Sequence, residues 1–185
     1  LALGATVCLA GPDGSREIGL SELYRDDGID SLTLRPGELI VAVQVPPQSG
    51  WTSTFWKIRR RLSIDFALLA VAAAVQRDAD GVVTAARIAL GSVASRPVDV
   101  AEAALLVGGR SEGGEAHVGG RLDDATIAAV AEACVQAAQP METSDLPASW
   151  RRKVLRVAVG LALRDLRGDD VRAARQRYGP AVLLG

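Results

Sequence analysis

Residues 55 to 61 read Phe-Trp-Lys-Ile-Arg-Arg-Arg, two aromatics and four cations in one short run. On a β-strand successive side chains alternate, so Phe55, Lys57, Arg59 and Arg61 share one face while Trp56, Ile58 and Arg60 share the other. An aromatic beside a line of cations suits a phosphate, a planar ring or an acidic partner chain. The same pattern also describes a strand face that is merely solvated, with long cationic stems lying on the sheet. Spacing alone leaves both readings open.

The other chemistry-bearing groups point elsewhere. The glycine-rich stretch 108–120 holds the single histidine, His117. It follows a helical pattern instead of a strand, and it matches neither the dinucleotide fingerprint nor the P-loop spacing. It reads as an interhelical linker, and His117, with no acid or nucleophile near it in sequence, as a loop residue. The acidic pairs Asp26 and Asp27, Asp123 and Asp124, and Asp169 and Asp170 each fall at a helix end or in a polar tail. There carboxylates cap helices or solvate the chain. The serines lack the sharp strand-to-helix turn of a nucleophile elbow. Cys8 and Cys134 lie in apolar periodic segments with no metal-ligand spacing, which predicts buried free thiols and a reducing, cytoplasmic setting.

Basic and acidic residues nearly cancel, leaving a net charge of −1. No global field argues for nucleic acid or a membrane surface, so any anion site must be local. No apolar run approaches the roughly 20 residues that a membrane helix needs.

These side chains must be carried by elements that the pattern also predicts. Residues 5–10 and 15–20 flank Gly-Pro-Asp-Gly and read as a hairpin, and 20–28 as a helix opening on Ser21. A Pro36-Gly37 turn leads into a strand with Leu39, Val41, Val43 and Val45 on one face and Ile40, Ala42 and Gln44 on the other. Pro46 and Pro47 end it and mark a domain boundary. Beyond them come a strand through the basic run, an alanine-rich segment 67–78 and a strand through 82–93. The Asp80-Gly81 turn favours strand over helix for the alanine-rich segment. The remainder reads as helices over 96–109, 123–139 and 148–167. The second carries a stripe of Ile127, Val130, Ala131, Cys134, Val135 and Ala138, and the third one of Trp150, Val154, Val157, Ala158 and Leu161. The expected class is α+β: a three-stranded antiparallel sheet with about three helices on one side. The opening residues, which read as the middle of a strand, carry the expectation that a natural N-terminal part precedes Leu1.

In order along the chain, LRPGELIVAVQVP, FWKIRRRLSIDFALLAVAAAV, ARIALGSVASRPVDVAEAALLVG and ASWRRKVLRVAVGLAL resemble the FAD-binding, or medium, subunit of the molybdenum hydroxylases. That family includes xanthine dehydrogenase, aldehyde oxidoreductases, carbon monoxide dehydrogenase and 4-hydroxybenzoyl-CoA reductase. The arginine-rich segment is closest to the xanthine or aldehyde dehydrogenase branch. The resemblance implies three parts: residues 1–47 as the C-terminal remnant of an α+β FAD-binding domain, 50–167 as a CO dehydrogenase flavoprotein C-terminal-like domain, and 168–185 as a tail.

It also implies a role. In the family a molybdenum subunit oxidises the substrate, a subunit with [2Fe-2S] clusters conducts electrons, and the flavin subunit passes them to NAD⁺ or another acceptor. Two positions carry over as FAD contacts. Ile40, in GELIV, matches an aliphatic residue on the flavin, and Lys57, in FWK, a lysine whose charge favours the reduced ring. Trp56 sits at an aromatic position of the family, and Asp65 matches an acid that serves as a hydrogen-bond partner of the nearby arginines. The family's Gly-rich pyrophosphate loops are not found in these residues, so the chain alone is expected to bind FAD weakly. The rival reading is a cofactor-free assembly module that docks to the same partner subunits.

Overall fold

The computed structural model describes residues 1–60, 65–107, 120–142 and 146–178. The first antiparallel sheet takes β1 (Thr6–Gly11), β2 (Gly14–Gly19) and β3 (Leu39–Gln44) in the order β2-β1-β3. Gly37, at φ 81°, supplies the positive φ that the turn into β3 requires after Pro36, and the Glu38 N–H closes that turn on the Arg35 carbonyl at 3.0 Å. Val7 and Leu9 are fully buried and pack with Leu23 under Ile18, Leu20 and Tyr24.

The helix expected over 20–28 is a single 3-10 turn, Leu20–Leu23. Only Leu23 of that turn is buried, with Leu20 packed partly buried against the same small core. The Asp27 carboxylate accepts the Ile29 and Asp30 N–H groups at 2.7 and 3.1 Å, a local alternative to helical bonds.

The second sheet has the order β4-β5-β6-β7, with β4 (Trp51–Ile58), β5 (Leu69–Arg77), β6 (Val83–Gly91) and the short β7 (Val98–Asp99), all antiparallel. The alanine-rich segment is a strand, as predicted. β7 is an addition. Val98 pairs with Leu90, and the Val100 N–H reaches the Ile88 carbonyl at 2.9 Å. This holds the chain extended past Pro97, so α1 (Ala101–Leu106) starts later than expected.

α1 and α3 (Ala148–Arg167) pack against one face of this sheet, α3 on β4 and β5 and α1 on β6, and α2 (Asp124–Ala137) packs against α1 and α3. The α2 stripe is buried as read from the sequence. Of the α3 stripe only Ala158 is. Leu155, Ala158, Val159, Ala162, Leu163 and Leu166 are buried, while Val157 is 40% exposed and Trp150, Val154 and Leu161 are half-buried. Apolar residues cover more than half the circumference of α3, so the period alone leaves its phase open, and packing on both the sheet and α2 selects the face. Gly168, at φ 103°, ends α3 by donating to the Arg164 and Asp165 carbonyls, both at 3.1 Å. The chain then turns back into α4 (Arg172–Tyr178), a helix within the stretch expected to be a tail.

Candidate functional site

The alternation that sends Trp56, Ile58, Leu69, Val71, Ile88 and Leu90 into the helix-side core leaves their neighbours on the other face. Lys57 lies opposite Ala70 and Ala70 opposite Gly91; Phe55 lies opposite Ala72 and Ala72 opposite Ala89. Two rows of the open face are therefore floored by alanine and glycine alone. A Cβ added at Gly91 would sit 3.4 Å from the Ala70 Cβ, so the floor is both flat and tight. Above it is an apolar hollow of about 200 Å³, walled by Phe55, by Leu20 and Tyr24 of and after the 3-10 turn, and by Leu1, Ala2 and Pro97.

Elsewhere on the same face the Arg87 guanidinium lies over the Trp51 ring, 4.4 Å from its centroid. Gly4, at φ 67°, runs against that guanidinium, and a Cβ there would come within 2.6 Å of Arg87 Nη1. The N-terminal segment thus covers the Trp51 and Arg87 part of the face. Lys57, half-buried, lies in the row of Ala70 and Gly91, beside the hollow.

Ile40 is placed differently from Lys57. A β-bulge between β1 and β3 leaves Val41 unpaired, so Leu9 lies opposite Ile40 and Val7 opposite Val43. This corrects the expected alternation, since Ile40 shares its face with Val43 and not with Ala42 and Gln44. Its side chain is 44% exposed, on a strand exposed throughout. Ile40 and Lys57 therefore sit on different sheets, and neither is among the residues lining the hollow.

Trp56 is buried on the helix side, away from the open face. The Asp65 carboxylate accepts the backbone N–H of Arg60 at 3.2 Å and of Phe66 at 3.0 Å. Arg61 and His117 lie outside the described residues.

A polar cluster that the sequence reading missed joins β4 to the C-terminal helices. Thr54 Oγ1 donates to Asp165 on α3, and Arg175 on α4 donates to Asp165 as well. The Arg175 guanidinium also donates to Thr54 Oγ1 at 2.8 Å and to the Phe55 carbonyl at 3.4 Å, and it stacks 4.5 Å from the centroid of Trp56. Burial pushes the Asp165 carboxyl upward, but the bonds from Thr54 and Arg175 outweigh it and hold the group below its ordinary range. The Trp56 indole N–H adds a weaker pull in the same direction without making a full hydrogen bond. Nothing in the local sequence flags this cluster, because its members are 111 and 121 residues apart.

The remaining acids are structural, as expected. Asp123 caps α2 by accepting the Thr126 N–H at 2.7 Å, Asp124 pairs with Arg167 at 3.0 Å, and Asp169 and Asp170 pair with Arg167 and Arg172. Among the described residues no group of histidine, cysteine and acidic side chains could hold a metal ion. Both cysteines are free. Cys134 is buried and its thiol is pushed up to about 12, whereas Cys8, expected to be buried, is half-exposed and accepts from the Gln44 amide at 3.2 Å.

Residues 53–166 match the CO dehydrogenase flavoprotein C-terminal domain. The chain belongs to this family. It is 40% identical over 115 residues, 59% of this chain, to the aldehyde oxidoreductase FAD-binding subunit PaoB of Escherichia coli. It is 30% identical over 165 residues, 87% of this chain, to the carbon monoxide dehydrogenase medium chain of Afipia carboxidovorans. The fold superposes on a chain of a Cu,Mo carbon monoxide dehydrogenase with a TM-score of 0.75 at 27% identity, covering 90% of this chain and 54% of that one. Quinoline 2-oxidoreductase from Pseudomonas putida 86 gives 0.74 at 26%, covering 90% and 53%. The match spans 35% of the E. coli subunit and about half of the other relatives. α4 lies beyond the residues matched to the family domain.

Proposed function

We propose that this chain forms the C-terminal wall of the flavin site in the FAD-binding subunit of a molybdenum hydroxylase. Residues 1–47 complete the FAD-binding domain, and 50–167 form the C-terminal one. The observation that carries the reading is the open face of the second sheet, where a cation, Lys57, borders a flat floor of alanine and glycine under an apolar hollow.

These residues fit one side of a planar, electron-accepting ring. The floor has no branched side chain to tilt it, and Phe55 and Tyr24 offer apolar walls. About 200 Å³ falls below the roughly 300–1,000 Å³ of complete small-molecule sites, so the hollow suits a ring and not a whole dinucleotide. Bound FAD would supply electron transfer between single-electron carriers and a pairwise acceptor. Lys57 then sets a positive charge against the electron density that the ring gains on reduction, and the low polarity of the floor strengthens that attraction. Ile40, on β3, serves as an aliphatic contact from the small sheet. The electrons come from a [2Fe-2S] subunit served by a molybdenum-cofactor subunit and pass to NAD⁺ or another acceptor. Two free cysteines support a cytoplasmic setting. Among the described residues no helix is long and apolar enough to cross a membrane.

The test is the complete flavin subunit with Lys57→Met. The variant is expected to keep its fold and lower the flavin midpoint potential; a wild-type potential would remove Lys57 from the site. The 185-residue chain titrated with FAD is expected to quench flavin fluorescence only weakly. One observation favours the cofactor-free assembly module as a second reading. β3 exposes Leu39 (70%), Val41 (60%) and Val43 (56%), an apolar strand suited to a polypeptide partner.

A further inference from the structure

Among the described residues β4 is an edge strand of its sheet, with β5 on one side and no strand on the other. Its outer side meets α4 through Arg175. One guanidinium reaches the Thr54 hydroxyl, the Phe55 carbonyl, the Asp165 carboxylate and the face of Trp56, which are three consecutive residues of β4 and one of α3. The next residue is Lys57. Thr54 and Trp56 point to the helix side while Phe55 and Lys57 point to the open face. A group that fixes the Phe55 carbonyl and the Trp56 ring therefore fixes the pleat from which Lys57 projects.

We propose that Arg175 is a positioning residue for Lys57, acting through the backbone of β4 from the face opposite the hollow. The inference rests on the reading of Lys57 as a flavin contact. A planar fork is what the geometry asks for: it bonds a hydroxyl, a carbonyl and a carboxylate while its plane stacks on an indole, which a lysine ammonium cannot do. Asp165 is the counter-charge that anchors the fork. The α3 C-cap at Gly168 returns the chain so that Arg175 meets Asp165, ten residues earlier on the preceding helix.

The experiment compares R175A, R175K, K57M and the R175A/K57M pair in the complete flavin subunit, with two readouts. In the subunit stripped of FAD, hydrogen exchange of amides 54–58 is expected to quicken roughly tenfold or more in R175A, as loss of a charged hydrogen-bond cluster implies, and to be only partly restored in R175K. In the FAD-loaded subunit, R175A is expected to lower the flavin midpoint potential in the same direction as K57M. The pair should fall no lower than K57M alone, because both changes remove one interaction. If R175A does not fold, Thr54→Val tests the same hold on β4. Unchanged exchange at 54–58 overturns the inference. So does faster exchange at a wild-type potential while K57M lowers it, and that outcome leaves the reading of Lys57 standing. A wild-type potential in K57M defeats both.

Discussion

The two faces of the four-stranded sheet are made by the same strands and are built on opposite rules. Toward the helices, Leu69, Val71, Val75, Ile88 and Leu90 are at most 1% exposed and interlock with α1, α2 and α3. Toward the other side, the matching rows carry Ala70, Ala72, Ala89 and Gly91 and enclose open space. Branched side chains dominate the helix-side core, whereas the alanines and glycine leave the other face flat. The proposed flavin wall rests on this difference more than on any polar motif, because packing alone gives no reason for apolar residues to stop at Cβ.

The sharpest way to break that comparison is to exchange the two rules. Leu163→Ala, in the helix-side core, is expected to cost about 2–5 kcal/mol, read as a lowered urea midpoint. Ala72→Leu, on the open face, is expected to cost about 1 kcal/mol or less while abolishing FAD retention by the complete subunit. Similar losses of stability from both changes would mean that the open face is core after all.

Lys57→Met, on the same face, is expected to leave stability near wild type. It is expected to remove about 1–2 kcal/mol of preference for the reduced ring, measured as a lower midpoint potential.

A smaller effect should appear on the helix side in acid. The Asp165 carboxyl is held below its ordinary value, so its contribution is present above the usual aspartate range, about pH 3.9, and is lost as the pH falls through the lowered folded value. Urea midpoints followed from pH 6 downward should converge for wild type and Asp165→Asn only below about pH 4. The smallest change concerns Ser92, the single non-glycine residue with positive φ, at 61°, among those described. Ser92→Gly is expected to stabilise the chain by at most about 1 kcal/mol, because glycine adopts that conformation without strain while losing more entropy on folding.

Much of the fold was legible because period and turn chemistry agreed. The Asp80-Gly81 turn turned an alanine-rich run into β5, and the stripe from Ile127 to Val135 marked the buried face of α2. Period failed where long-range packing decided. α3 is apolar around too much of its circumference to reveal a face, the β1–β3 bulge moved Ile40 to the other side of its strand, and Val98 chose a strand partner before α1 could begin. Of the candidate site, the alternation of β4 that puts Phe55 and Lys57 on one face and Trp56 and Ile58 on the other could be read directly. The flat floor could not, since the alanines and glycine become a surface only when β4, β5 and β6 are set in register. Arg175 was hidden for the same reason, as its partners lie on a strand more than a hundred residues earlier.

The most direct measurement of the central claim is an experimental structure of the complete flavin subunit with FAD bound. The expected result is the isoalloxazine ring against the open face of the β4–β5–β6 sheet, with Lys57 Nζ within hydrogen-bonding distance of the ring. A ring lodged elsewhere, with Lys57 facing solvent and the hollow filled by protein side chains, would contradict the account.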